Sequence, residues 1–189
     1  MQGPSKLALF FFVCTGLGMA QLPTSGNAFV GYSYSGARVF ASGSNSGINA
    51  NGWEGSVEGK FFPWIGVVAD LDWHYGGHDF TACTPAPCIP RIVTVNASRH
   101  DLLFGPRASI SRGRYTPFAE LLLGLMHQTD SGGGISNSDT GFAFAVGGGV
   151  DYKLIKGVAA RVQLDSIHNS LFGRSQSNLR ISTGVVFKF

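Results

Sequence analysis

Ionisable residues recur with a single parity in three stretches of this chain: Glu54, Glu58 and Lys60; Asp70, Asp72 and His74; Arg161 and Asp165. Alternate residues of an extended strand point to the same side, so this spacing gathers carboxylates and cations on one face. Asp101, Arg107, Glu120, Asp151, Arg180 and Lys188 extend the set. Two chemistries suit such a face. Rings of charge can line or gate a narrow ion path; carboxylates and guanidiniums that pair away from water form a plug that fills and steadies the fold. A second constellation is Cys83 and Cys88, within Thr81-Ala82-Cys83-Thr84-Pro85-Ala86-Pro87-Cys88. In an exported chain two cysteines this close are expected to form a disulfide that pins a proline-rich loop. The alternative, a metal site, would have to recruit His78 and Asp79. No catalytic, cofactor-binding or metal-binding set is assigned.

Charged faces of this kind need strands to carry them. Eight are expected, at approximately Ala28 to Ser35, Asn51 to Phe61, Ile65 to Tyr75, Ser98 to Ile110, Arg114 to His127, Thr140 to Asp151, Gly157 to Ile167 and Asn178 to Phe189. The last shows the alternation most clearly. Leu179, Ile181, Thr183, Val185, Phe187 and Phe189 share one face, and Asn178, Arg180, Ser182, Gly184, Val186 and Lys188 the other. No stretch beyond the N-terminal segment keeps a 3.6-residue apolar period, so little helix is expected. The connections alternate between short (Phe62 to Trp64, Ser111 to Gly113, Tyr152 to Lys156) and long (Gly36 to Ala50, Gly76 to Ala97, Gln128 to Asp139, His168 to Ser177). Alternation of this kind describes an antiparallel up-and-down meander with unlike ends.

The N-terminal segment, residues 1–20, pairs Lys6 with an apolar run from Leu7 to Val13 and small residues at Gly18 and Ala20. It reads as a secretory signal cleaved after Ala20, leaving residues 21–189 as one domain. The whole chain carries a formal charge of +3, and losing Lys6 lowers this to +2, too little to argue for nucleic acid. Charged residues make up only 13% of the chain, against about 25% in soluble domains. That is too few to coat a soluble barrel, whereas a lipid-facing exterior needs none. The apolar face is therefore expected outside. In the inverted arrangement the tryptophans and phenylalanines would have to crowd an interior only wide enough for side chains or one small ligand. Closure is required as well, since an open sheet edge in hydrocarbon leaves backbone groups unpaired. Trp53, Trp64, Trp73, Tyr75, Phe187 and Phe189 are then candidates for the aromatic girdles at the two membrane interfaces.

The residues that carry a family resemblance are the signal segment, the Gly-rich sixth strand leading into Val150-Asp151-Tyr152, the Arg161-Val162-Gln163-Leu164-Asp165 strand, and the closing Asn178-Leu179-Arg180 to Phe187-Lys188-Phe189. With these the chain resembles the small eight-stranded outer-membrane β-barrels of the OmpA/OmpX type. The resemblance implies an all-β, eight-stranded antiparallel transmembrane barrel in the bacterial outer membrane, in contact with its lipid. It implies insertion by the barrel-assembly machinery, which reads the strand ending in Phe189. No peptidoglycan-binding domain is expected, since the sequence stops at that residue. The expected role is structural or an interaction or adhesion made through the long loops, with a narrow channel for small solutes or ions as the alternative. His168-Asn169-Ser170 also resembles the His-x-Ser element of the barrel enzyme that deacylates lipid A, in which the histidine is the base and the serine the nucleophile. No acid follows Ser170 to orient the histidine, and Asp165 is the nearest substitute. The expectation is accordingly non-enzymatic and without a cofactor.

Overall fold

Where β-branched and aromatic residues alternate with small or charged ones, the backbone takes the extended form and the two residue classes part to opposite faces. The computed structural model describes residues 25–38, 49–83, 90–132, 135–171 and 174–189. They form eight strands: β1 Ser25–Arg38, β2 Asn49–Phe62, β3 Ile65–Cys83, β4 Pro90–Ser109, β5 Tyr115–Gly132, β6 Ile135–Ile155, β7 Val158–Leu171 and β8 Arg174–Lys188. Each strand pairs antiparallel with the next, and β8 closes on β1 to complete a barrel. Reciprocal backbone bonds between Gly26 and Phe189, at 2.9 and 3.0 Å, carry the seam to the last residue. No helix occurs among the described residues.

The register fixes the shape. From Ala28 the pairs run through Val57, Ala69, Phe104, Leu123, Phe144, His168 and Ser177 and return to β1 at Arg38, ten residues further along. A stagger of this size over eight strands goes with a tilt of about 40° and an interior that side chains can fill. One end, called the terminal end below, holds Ser25, Phe189 and the tight turns. There Gly113 (φ 62°) and Gly157 (φ 83°) adopt the left-handed conformation that residues with a Cβ avoid. At the opposite end the strands outrun their sequence signal. β3 continues to Cys83 and β4 begins at Pro90, with pairing up to Cys83↔Pro90. β5 and β6 pair up to Gly132↔Ile135. Much of the stretches expected to be long loops, Gly76 to Ala97 and Gln128 to Asp139, is therefore β-ladder. His168-Asn169-Ser170, expected in a loop, lies in β7. The reason is physical: apolar alternation records where a strand meets an apolar phase, while the backbone hydrogen bonds that continue it need no apolar side chains. At the other end the β6–β7 connection shrinks to Lys156 and Gly157, because Tyr152 to Ile155 remain in β6.

The apolar face points outward. Trp53, Val57, Phe104, Leu121, Leu123, Phe142, Val162, Ile181 and Phe187 are all exposed on the barrel wall. The packed core is inside, and it is not wholly polar. Val68, Leu103, Leu122, Met126, Ala143, Ala145 and Ile167 form a buried apolar cluster along the inner wall from β3 to β7. Phe29, Ala159 and Val186 form a second near the terminal end.

Candidate functional site

The lumen is filled in three tiers. In the lowest, nearest the termini, Arg107 donates from Nε to Glu120 at 2.6 Å and reaches Glu58 at 3.4 Å. Arg161 clamps Asp151 with two bonds, 2.7 and 3.2 Å. Both guanidiniums lie over the ring of Phe118, 4.4 and 4.6 Å from its centroid, so the ring sits between two cations. Asn27 donates to Glu58 at 2.6 Å. Lys60 and Lys188 close the mouth, Lys60 on Ser109 at 2.6 Å and Lys188 on Asp151 at 3.3 Å. A vestibule of about 250 Å³ remains below this layer, between the mouth lysines and the Phe118 ring.

The middle tier is organised by Arg180, whose side chain is wholly buried. Its guanidinium meets Asp70 at 2.8 Å, Asp165 at 2.9 Å, Glu54 at 3.6 Å and also Asp72. Four strands, β2, β3, β7 and β8, thus send a charge to one point. Gln163 lies within 3.2 Å of Glu54, Glu120 and Asp165, linking this tier to the one below. Gly147 makes the space for Asp165: a Cβ there would stand 1.8 Å from the carboxylate oxygen. In the upper tier His74 is held between Asp72 (3.1 Å) and Ser33 (3.0 Å), and Arg99 pairs with Asp101 at 3.1 Å. Asp72, His74 and Asp101 place their donor atoms within 4.8 Å of one another. Arg99 and Arg180 already sit against these carboxylates, so the cluster is charge-compensated by the protein's own cations.

All eight residues expected to form the polar interior, Glu54, Glu58, Asp70, Asp72, Glu120, Arg161, Asp165 and Arg180, are buried on the inner face. Gln163, which shares the parity of Arg161 and Asp165, joins them, as do Arg99 and Asn27, which were not singled out from sequence. The signal for Arg99 was there, since it shares the parity of Asp101 and Arg107, and Asn27 shares that of Phe29. The inward turn of Leu103 and Leu122 is written only in the charges beside them, since Leu102-Leu103-Phe104 and Leu121-Leu122-Leu123 are apolar on both faces while Leu103 shares the parity of Asp101 and Arg107 and Leu122 that of Glu120. Of the chain's eleven acids, eight line the lumen. The others are Asp79, Asp130 and Asp139, all in the strand ends away from the termini. Exposed Arg112, Arg114, Lys153 and Lys156 cluster instead around two turns at the terminal end.

On the outer wall the aromatics form two levels. Trp64, Phe187 and Phe189 lie near the terminal end, and Trp53, Trp73 and Tyr75 near the other. On β3, Ile65 and Tyr75 stand ten residues apart, which at about 3.3 Å per residue and a tilt of about 40° is roughly 25 Å along the axis, the height of a lipid-facing band. His168 also faces outward, stacked on Phe144 with ring centroids 4.8 Å apart. Asp165 lies on the opposite face, bound to Arg180. The acid that would have to orient a His168–Ser170 pair is therefore inside the barrel while the pair is outside. Cys83 ends β3; Cys88, like the residues 1–20 expected to be a signal, lies outside the described residues.

A protein-family model described as the outer membrane protein beta-barrel domain matches residues 7–189. Among solved structures, the crystal structure of Ail, the attachment invasion locus protein of Yersinia pestis, in complex with the heparin analogue sucrose octasulfate, aligns with a TM-score of 0.61 at 15% identity, covering 87% of this chain and 98% of that one. Neisserial surface protein A aligns with a TM-score of 0.60 at 13% identity, covering 87% and 97%. At such identities the likeness is one of fold. Among curated proteins none matches the chain.

Proposed function

The chain belongs to the outer membrane protein β-barrel domain family and resides in the bacterial outer membrane; from that premise we propose that it is a plugged, non-enzymatic barrel that carries a raised sheet for contacts outside the cell. The supporting observation is the unequal strand length. Strands of about 9–11 tilted residues suffice to cross the apolar layer, yet β3, β4, β5 and β6 have 19, 20, 18 and 21 residues. Among the described residues β1, β2, β7 and β8 have 14 or 15. Apart from the last residues of β6, which reach Ile155 beside the β6–β7 turn, the surplus is on one side of the barrel, at the end away from Ser25, Phe189 and the short turns. By the usual rule that short turns face the periplasm, this is the extracellular end. Sheet extended into water at this cost in ordered residues makes a stiff platform for whatever its tips touch.

Ail was crystallised with a heparin analogue, which makes a sulfated glycan a sound first probe. Cells displaying the full barrel are expected to adhere to immobilised heparin or to a matrix glycoprotein, and cells displaying a barrel with β3–β4 and β5–β6 cut back to short turns just above Tyr75 and His127 are expected to lose that adhesion. Equal adhesion by both would remove the contact role from the raised sheet.

The packing of the lumen supports a plug over the channel alternative. Arg180 ties β2, β3 and β8 to β7 across the interior, and Phe118 with its two guanidiniums fills the layer below. Protein reconstituted in planar bilayers is expected to give no porin-like conductance steps. Regular openings that vanish on removing Phe118 or Arg180 would instead make the narrow channel the correct reading.

A further inference from the structure

At the terminal end Arg112, Arg114, Lys153 and Lys156 are exposed, and the ion pairs of that end are made by Lys60, Arg107, Arg161 and Lys188 instead. No acid is exposed there, because the eight acids of the lumen are buried and the other three lie at the opposite end. Between the β4–β5 and β6–β7 turns this surplus of cations borders a cleft of about 280 Å³. Its polar side chains are Lys153, Lys188, Ser111 and Thr116, and among the described residues none that lines it is acidic. Gly113 and Gly157 line it too, which places it at the level of the turns, at the periplasmic surface.

The cleft lies on the inner face of the wall. Thr116 has the parity of buried Phe118, Lys153 that of buried Asp151 and Lys188 that of buried Val186, while on the outer face Tyr115 and Tyr152 meet with ring centroids 5.1 Å apart. Lipid therefore stands on the far side of the wall from these groups. Backbone bonds hold the sides of the cleft in place: the Lys153 amide donates to the Arg114 carbonyl at 2.8 Å, and the Lys188 amide to the Gly157 carbonyl at 2.7 Å. Donors remain for a ligand. Lys188 has one carboxylate contact, Asp151 at 3.3 Å, out of the three N–H groups of an ammonium. The hydroxyls of Ser111 and Thr116 share one bond at 3.2 Å, which uses the proton of only one of them. Two ammonium groups and a hydroxyl donor on a backbone fixed before binding suit a tetrahedral oxyanion, for which lysine serves as a point charge. A carboxylate, with two oxygens in one plane, meets fewer of them. We propose that the cleft is a binding site for a phosphate group that arrives in solution from the periplasm, as inorganic phosphate or a small phosphomonoester. It lies at the opposite end from the raised sheet, so it stands or falls apart from the contact role above.

The test uses the refolded full barrel in maltoside micelles, which carry no phosphate. The backbone amides of Ser111, Thr116, Lys153 and Lys188 are followed by NMR as inorganic phosphate replaces chloride at constant ionic strength, so that screening does not change. These amides are expected to shift saturably. An S111A/K153Q variant should raise the dissociation constant about tenfold, as the loss of a charge-assisted contact and a hydroxyl contact produces. R112A/K156A, which removes two charges outside the cleft, should raise it by less than about twofold. Heat-modifiable gel migration verifies that each variant is a closed barrel, and K153Q alone replaces a double variant that fails this check. Absence of saturable shifts in the wild type would overturn the proposal. So would an equal loss in S111A/K153Q and R112A/K156A, which would reduce the cleft to diffuse positive charge, or acetate binding as tightly as phosphate. A last arm compares phosphatidylglycerol with phosphatidylcholine nanodiscs without added phosphate. If the same amides move there and not with inorganic phosphate, the ligand is a lipid headgroup and the solution site is overturned.

Discussion

Arg180→Ala is expected to lower the unfolding free energy of the barrel by about 3–5 kcal/mol, the scale for removing one partner from a buried charge cluster. The cost comes less from the lost contacts than from what they leave behind. Asp70, Asp72, Asp165 and Glu54 all lie against the one guanidinium, and without it four carboxylates face each other in a closed interior. Reversible urea unfolding of refolded protein in detergent micelles measures the change. A second variant separates charge from packing. If repulsion among the stranded carboxylates is the cause, R180A/D70N/D165N should regain a substantial part of the loss although it makes two further substitutions in the lumen. A loss under about 1 kcal/mol for R180A would instead place the group in a water-filled lumen, where ion pairs contribute little.

Two adjacent leucines give the other large contrast. Leu122 is 0% exposed within the inner apolar cluster, and Leu121 is 45% exposed on the outer wall. Leu122→Ala should cost about 2–5 kcal/mol, the range for a large-to-small change in a packed core. Leu121 stands on β5 six residues from both Tyr115 and His127, which places it near the middle of the apolar band. Leu121→Arg should therefore cost about 2–4 kcal/mol in a bilayer, as for a cation at the midplane of a barrel's lipid face. In a soluble barrel with the same faces exposed, that arginine would be solvated and harmless. Folding into phospholipid vesicles, followed by denaturant titration, distinguishes the two. A neutral L121R with a costly L122A would leave the barrel intact and take it out of the membrane.

The strand number, the meander and the facing of β2, β3, β6, β7 and β8 were legible because one-sided burial writes period two directly into the sequence. Glu54 to Lys60, Asp70 to His74 and Arg161 to Asp165 show it without help. The strand ends were not legible. Gly76-Gly77 and the Ser- and Gly-rich stretch after Gln128 look like loops, yet pairing to a neighbouring strand keeps them extended. β4 and β5 showed their facing only through Asp101, Arg107 and Glu120, because leucine on both sides suits a wall with lipid outside and an apolar cluster inside.

Composition, periodicity and the closing strand were enough to assign a closed, lipid-exposed barrel, since those properties follow from how each strand meets its surroundings and need no knowledge of its neighbours. Which charges meet was set by closure. Residues such as Glu54 and Ser182 are 128 positions apart yet hydrogen-bonded across the lumen, and the gathering of four carboxylates on Arg180 depends on the ten-residue stagger that brings β2, β3, β7 and β8 to one level. The position of Asp165 was decided the same way. In sequence it lies three residues from His168, but an odd spacing in a strand puts the two on opposite faces, so the wall of the barrel stands between them.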